Sequence, residues 1–203
     1  MATYLPGVLG DPKPGPYRDL IEQARRSGTE YGRIWELFAF QSDFTVHLGR
    51  FTHGVLRQPA TISAGLRELV AAYTSYQNDC GFCTHAHAAA AAELLGSEEL
   101  VWQALRDVEG APLDEKTKAL LRFTGRMTRQ LSTLTAVDVD ALRAAGWDDE
   151  AIYYAITTCA LFNFYNRWIT ATGVPEMSRE AHRRQGQHLA SVSYTHLTLP
   201  TKA

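Results

Sequence analysis

The chain has 203 residues, 45% of them hydrophobic and 10% aromatic, with 20 Lys and Arg against 22 Asp and Glu. That length and apolar content suit one domain with a substantial core and exclude a disordered charged protein, while matched charges without a basic run give nucleic acid no footprint. No stretch of about 18 apolar residues is present to span a membrane. The N-terminal MATYLPGVLGDPKPGP has neither a basic start nor a long apolar run, and three cysteines are too few to staple a secreted scaffold, so a soluble cytoplasmic domain is expected.

Helix punctuation dominates the chain. Pro16 suits a first helical position, and Tyr17 to Arg26 follows with Leu20, Ile21 and Ala24 on one side, closed by Ser27-Gly28. Tyr31 to Phe40 and Asp43 to Leu56 carry Ile34, Leu37 and Phe38, then Phe44, Leu48, Phe51 and Val55, at helical spacing. Ser42 fits the N-cap of the second, with Pro59 past its end. Ser63 opens a helix with the stripe Leu66, Leu69, Val70 and Tyr73. Asp79 precedes the alanine run Ala86 to Ala92, which closes at Gly96.

Ser97 opens a short helix with Glu98 and Glu99 in its first turn, where the helix dipole favours them. Asp114 opens Glu115 to Gln130, and Thr135 and Asp138 have capping-box spacing before a helix ending at Ala145-Gly146. Asp148 opens the long segment Glu150 to Thr172, stopped by Gly173. No alternating strand pattern occurs, so the expected fold class is all-α: one compact domain over residues 1–190 with its core in 17–173. Val192 to Thr201 (VSYTHLTLPT) read as the translation of a transposase sequencing adapter. Residues 191–203 are therefore set aside as a read-through tail, and His196 with them.

Chemistry concentrates in NDCGFCTHAH, residues 78–87. Cys80 and Cys83, three apart at a helix start, can close a small disulfide ring. The unpaired N–H groups and positive dipole of a helix start favour thiolate over thiol. His87 follows Cys83 by four residues and shares its helix face, where an imidazole can take the thiol proton directly or through one water. His85 points elsewhere on the helix. Glu68 lies 12 residues before Cys80, about 18 Å along a straight helix. A reversal near Gln77 to Asp79 would instead bring its carboxylate beside the cysteines and His87. There it could orient the imidazole and stabilise its charged form.

The pattern Glu68, eleven residues, Cys80-x-x-Cys83, three residues, His87 resembles the core of the alkylhydroperoxidase D family within the carboxymuconolactone decarboxylase superfamily. The stretches Arg67-Glu68-Leu69-Val70-Ala71, Ala141 to Gly146 and Phe162 to Arg167 are similar to its peroxidase-related branch, and the likeness covers Tyr17 to Gly173. The resemblance implies an all-helical, antioxidant thiol peroxidase. Cys83 would be the peroxide-attacking thiolate, Cys80 the resolving thiol, and His87 with Glu68 behind it the proton relay. It implies no bound cofactor beyond a redox-active Cys80–Cys83 disulfide, an external dithiol or lipoyl-type reductant protein, and a dimer, trimer or hexamer. One position departs from the pattern. Where well-studied members have a second histidine before the second cysteine, this chain has Phe82, so that branch of the relay is incomplete or differently routed.

Other readings remain open. A zinc site from Cys80, Cys83, His85 and His87 fails because a continuous helix turns His85 away, and no metal site is expected. Glu68 could be a surface charge paired with Arg67 or a neighbour. Cys159, amid Ile156, Ala160 and Phe162, reads as an inert core thiol. His47 and His53 read as packing or surface residues, and Trp35, Trp102, Trp147 and Trp168 as core. The aromatic stripe of residues 38–51 likewise reads as core, part of which could face another copy, and Asn163, Asn166 and Arg167 could line a site or an oligomer contact. The functional alternatives are a non-redox lyase or isomerase acting on a small acid, against which the paired cysteines speak, and a non-catalytic helical assembly protein.

Overall fold

Ten α-helices and one short 3-10 turn, Leu131–Thr133, make up the regular structure of residues 4–191, the residues described in the computed structural model. In chain order these are α1 (Pro16–Ser27), α2 (Ile34–Phe40), α3 (Ser42–Arg57), α4 (Ala64–Gln77), α5 (Gly81–Leu95), α6 (Glu98–Arg106), α7 (Glu115–Arg129), α8 (Ala136–Ala144), α9 (Asp149–Thr172) and α10 (Arg179–Ser191). The fold is all-α, without a strand among the described residues. Residues 192–203 of the tail set aside above lie outside them, whereas Ser191 closes α10.

Most of the expected caps form. Ser63, Ser97, Asp114 and Asp148 accept from the backbone N–H of Leu66, Leu100, Thr117 and Ala151 at 3.2, 3.1, 2.7 and 2.7 Å. Each satisfies a donor that the helix start leaves without an intrahelical partner. Gly28, Gly96 and Gly173 take the left-handed conformation at helix ends. Ser42 does not cap α3. It is already helical, and its hydroxyl lies within 3.4 Å of the Phe38 and Ala39 carbonyls, because α2 and α3 are separated only by the kink at Gln41. The helix expected from Tyr31 begins at Ile34.

Two apolar clusters meet along α4 and α9. One gathers Leu69, Val70 and Tyr73 of α4 with α6, α7, Leu142 of α8 and the first half of α9. The other gathers Tyr17, Ile21, Phe38, Val55, Leu56 and Ala71 with Cys80, Cys83 and the second half of α9. The 24 residues of α9 span about 36 Å, enough to serve both. Helix α4 is buried on nearly every side from Gly65 to Ser75, so its sequence lacks a wide polar face. In α3 the buried residues are Thr45, Gly49, Thr52, Val55 and Leu56, while Phe44 and Phe51 stay exposed. The expected aromatic stripe is thus divided, with Phe38 in the core and Phe44 and Phe51 on the outer face of α3. Among the four tryptophans only Trp147 is buried; the other three are half-buried.

The core does not stop at Gly173. Helix α10 lies along α5, crossing it where Gly186 meets Ala89 and Ala90; a Cβ at position 186 would fall 2.5 Å from the Ala89 Cβ. Ala181, His182, Gly186 and Leu189 are its buried residues. With only one large aliphatic residue among them, the helix carries almost no apolar signal. It docks through close approach of small residues.

Candidate active site

The α4–α5 reversal sets the site. Asn78 ends α4 and Asp79 takes a positive φ of 53°, a conformation that Asp tolerates better than most residues. Cys80 N–H then reaches back to the Ser75 carbonyl at 3.0 Å. The two helices run side by side as the sequence required for a Glu68–His87 contact. Asn78 donates to Asn163 and Asn166 of α9 at 3.1 and 3.0 Å, and Asn166 donates to Ser75 at 2.9 Å, pinning the turn from behind.

Cys80 is the N-cap residue of α5 and Cys83 lies in its first turn; both are buried. Their sulfurs share a hydrogen bond at 3.0 Å. A disulfide needs about 2.05 Å, so oxidation asks for a closure of roughly 1 Å. The pair's acidity is split. Cys80 is drawn down to about 7, chiefly by a hydrogen bond from the Cys83 side chain, against burial, with further help from the Cys83 backbone N–H and from Thr170 and Asn166. Cys83 is driven well above the usual thiol range by its hydrogen bond with Cys80 and by burial. The first proton lost therefore belongs to the dithiol as a pair, each sulfur stabilising charge on the other.

Glu68 is fully buried, which rules out the surface reading. Its Oε2 sits 2.7 Å from His87 Nδ1, and its Oε1 accepts from Arg57 Nη2 at 2.5 Å. Burial pushes the Glu68 carboxyl up, but the His87 and Arg57 charges and hydrogen bonds outweigh it and leave the pKa lowered. Arg67, the neighbour suggested by sequence, turns away and donates to the carbonyls of Val55 and Gln58 at the end of α3. The His87 ring also meets Phe162 edge-on, with centroids 4.3 Å apart. With a carboxylate at Nδ1, Nε2 is the nitrogen set to exchange a proton.

Cys83 and His87 line one cavity of about 110 Å³ walled by Tyr17, Trp35, Phe38, Phe82, Phe162 and Leu189. Its lining among the described residues is mostly apolar, contains no Lys or Arg, and does not include Cys80. Helix α10 supplies one wall through Gln185, His188 and Leu189, and the Leu189 carbonyl accepts from Arg57 at 3.0 Å. His85 diverges from this group as expected: its Nδ1 lies 3.0 Å from the Gly81 carbonyl and 3.6 Å from Glu176. The four residues weighed as a zinc set therefore do not converge. Cys159 is buried in the other cluster beside Thr128, and burial pushes its thiol up, consistent with an inert role.

Residues 43–123 match the family model of the carboxymuconolactone decarboxylase family, a span holding Arg57, Glu68, Cys80, Cys83 and His87. A peroxidase-related protein from a Silicibacter species superposes with a TM-score of 0.74 at 26% identity, over 86% of this chain and 91% of its own. The chain has an AhpD-like fold and is similar to the carboxymuconolactone decarboxylase family over residues 43–123. A Ralstonia eutropha protein described as an alkylhydroperoxidase AhpD core and peroxidase-related superposes equally well, with a TM-score of 0.74 at 20% identity over the same shares of the two chains. No curated protein matches the chain.

Within the AhpD-like fold, sequence reasoning missed Arg57, Asn166 as a positioning group, and the whole of α10. Arg57 is the last residue of α3, where a basic side chain reads simply as complement to the helix dipole. Its pairing with Glu68 becomes visible only when α3 and α4 are placed side by side.

Proposed function

We propose that the protein is a thiol-dependent peroxidase, or disulfide reductase, that uses Cys80 and Cys83 as a redox-active dithiol. The observation that carries this reading is the shared cavity: the Cys83 thiol and the Glu68-held His87 face one apolar space, with Cys80 behind at 3.0 Å. Two groups that can accept a proton thus serve Cys83 in this reading, the Cys80 sulfur in contact with it and the His87 imidazole across the shared cavity.

His87 takes the Cys83 proton, directly or through one water, and Glu68 stabilises the imidazolium. The Cys83 thiolate attacks the terminal oxygen of a hydroperoxide; an S–O bond forms, the O–O bond breaks, and His87 returns its proton to the departing alkoxide. Cys80 then attacks the Cys83 sulfenic acid, forming the disulfide and releasing water. An external dithiol, such as a lipoyl-type group on a partner protein, reduces the disulfide by exchange and leaves oxidised itself. Phe82, in place of a second histidine, walls the cavity and carries no proton, so this scheme routes the transfer through His87 alone. A lyase acting on a small acid fits less well, because the described residues of the cavity lining include no Lys or Arg to hold a carboxylate.

Steady-state consumption of cumene hydroperoxide with dihydrolipoamide as donor tests the proposal. Turnover in the wild type should fall to background in Cys83→Ser, and turnover that survives the substitution overturns it.

A further inference from the structure

Beyond the cavity, a second cluster of chemically capable side chains stands on the other side of α5. Glu176 comes from the segment between α9 and α10, His182 from the first turns of α10, and His85 from the second turn of α5. One ring nitrogen of each histidine and one carboxylate oxygen all lie within 4.8 Å of one another. Glu176 Oε2 is 3.3 Å from His182 Nε2 and 3.6 Å from His85 Nδ1. In a tetrahedral zinc site, bonds of about 2.0–2.1 Å put neighbouring donor atoms roughly 3.3 Å apart. The two contacts to the carboxylate are therefore already near ligand spacing.

We propose that His85, Glu176 and His182 form a binding site for a divalent transition-metal ion of the zinc type. Two imidazoles and one carboxylate suit zinc, which takes nitrogen and oxygen donors readily. Three further observations support a built site. His182 is 4% exposed, and while its Nε2 meets Glu176, its buried Nδ1 has no hydrogen-bond partner. Gly81 makes room for the carboxylate, since a Cβ there would collide with Glu176 Oε1. The His85 and Glu176 side chains are 48% and 51% exposed, so the ion has a path from solvent and a fourth position for water. His85 can release its contact with the Gly81 carbonyl by turning its exposed ring, presenting either nitrogen.

The site would tie the start of the cysteine-bearing helix to α10, the helix that walls the cavity. It is separate from the dithiol and does not depend on the peroxidase reading. Because thiolates also bind zinc, the test uses full-length protein carrying Cys80→Ser and Cys83→Ser, titrated with Zn²⁺ against a chromophoric chelator and with Co²⁺ as an optical probe. The expected result is one ion per chain, a four-coordinate cobalt spectrum without thiolate charge-transfer bands, and a rise in melting temperature on adding zinc. Loss of an outer-shell partner costs metal sites about 10–100-fold in affinity, so His85→Ala and Glu176→Gln should each weaken binding by roughly 100-fold or more and abolish the thermal shift. Both side chains are half-exposed, so these variants keep the fold even if His182→Asn does not. Absence of zinc binding at micromolar concentrations, or binding that survives both substitutions, overturns the proposal.

Discussion

Replacing Glu68 with Gln isolates the charge at the centre of the site while keeping its shape. The carboxylate is fully buried and touches two partners, the Arg57 guanidinium with a side chain 9% exposed and the His87 imidazole with one 12% exposed. Gln can still accept one hydrogen bond, but Arg57 loses the buried negative charge of Glu68. Breaking a buried ion pair on one side costs about 3–5 kcal/mol, a large share of a total stability of about 5–15 kcal/mol. Urea unfolding at neutral pH should therefore show a midpoint shift equivalent to about 3 kcal/mol or more. The acid limb gives a second readout. The folded pKa of Glu68 is lowered, so its contribution is complete above the ordinary value of 4.5 and is lost as the pH falls through the folded value. The wild-type advantage over Glu68→Gln should shrink below about pH 4.5. A cost under about 1 kcal/mol, or two stability curves that stay parallel into acid, would refute the argument.

Two further outcomes follow from the dithiol and from α10. Thiolate absorbance in the ultraviolet should show a first step near pH 7 for the Cys80–Cys83 pair and a second well above 9, and Cys83→Ala should move the first step upward by removing its main hydrogen bond; a first step above 9 in the wild type contradicts the assignment. Gly186→Val should cost about 1–3 kcal/mol through overpacking and expose α10 to proteolysis, because its Cβ meets Ala89; an unchanged protease pattern would show that α10 does not depend on this crossing.

The helices were legible because their ends are written in local chemistry: a hydroxyl or carboxylate at the start, a glycine at the stop. Ser42 misled because the spacing that makes a cap also allows a bond back to the preceding turn. The contact of Glu68 with His87 was legible through the turn at Asn78 and Asp79, residues that tolerate the reversal. Arg57, Asn166 and the group around Glu176 were not, since each acts across a helix–helix contact that no periodicity encodes. Helix α10 was hidden for a related reason: it packs by being small at Gly186 and Ala181, and smallness leaves no stripe.

The central claim is that Cys80 and Cys83 act together on peroxide, and a single-turnover thiol count tests it most directly. Reduced protein given one equivalent of cumene hydroperoxide should lose two of its three titratable thiols, with peptide mapping placing the new bond between Cys80 and Cys83 and leaving Cys159 unmodified. Three thiols remaining after the peroxide is added, or oxidation confined to Cys159, would contradict the account.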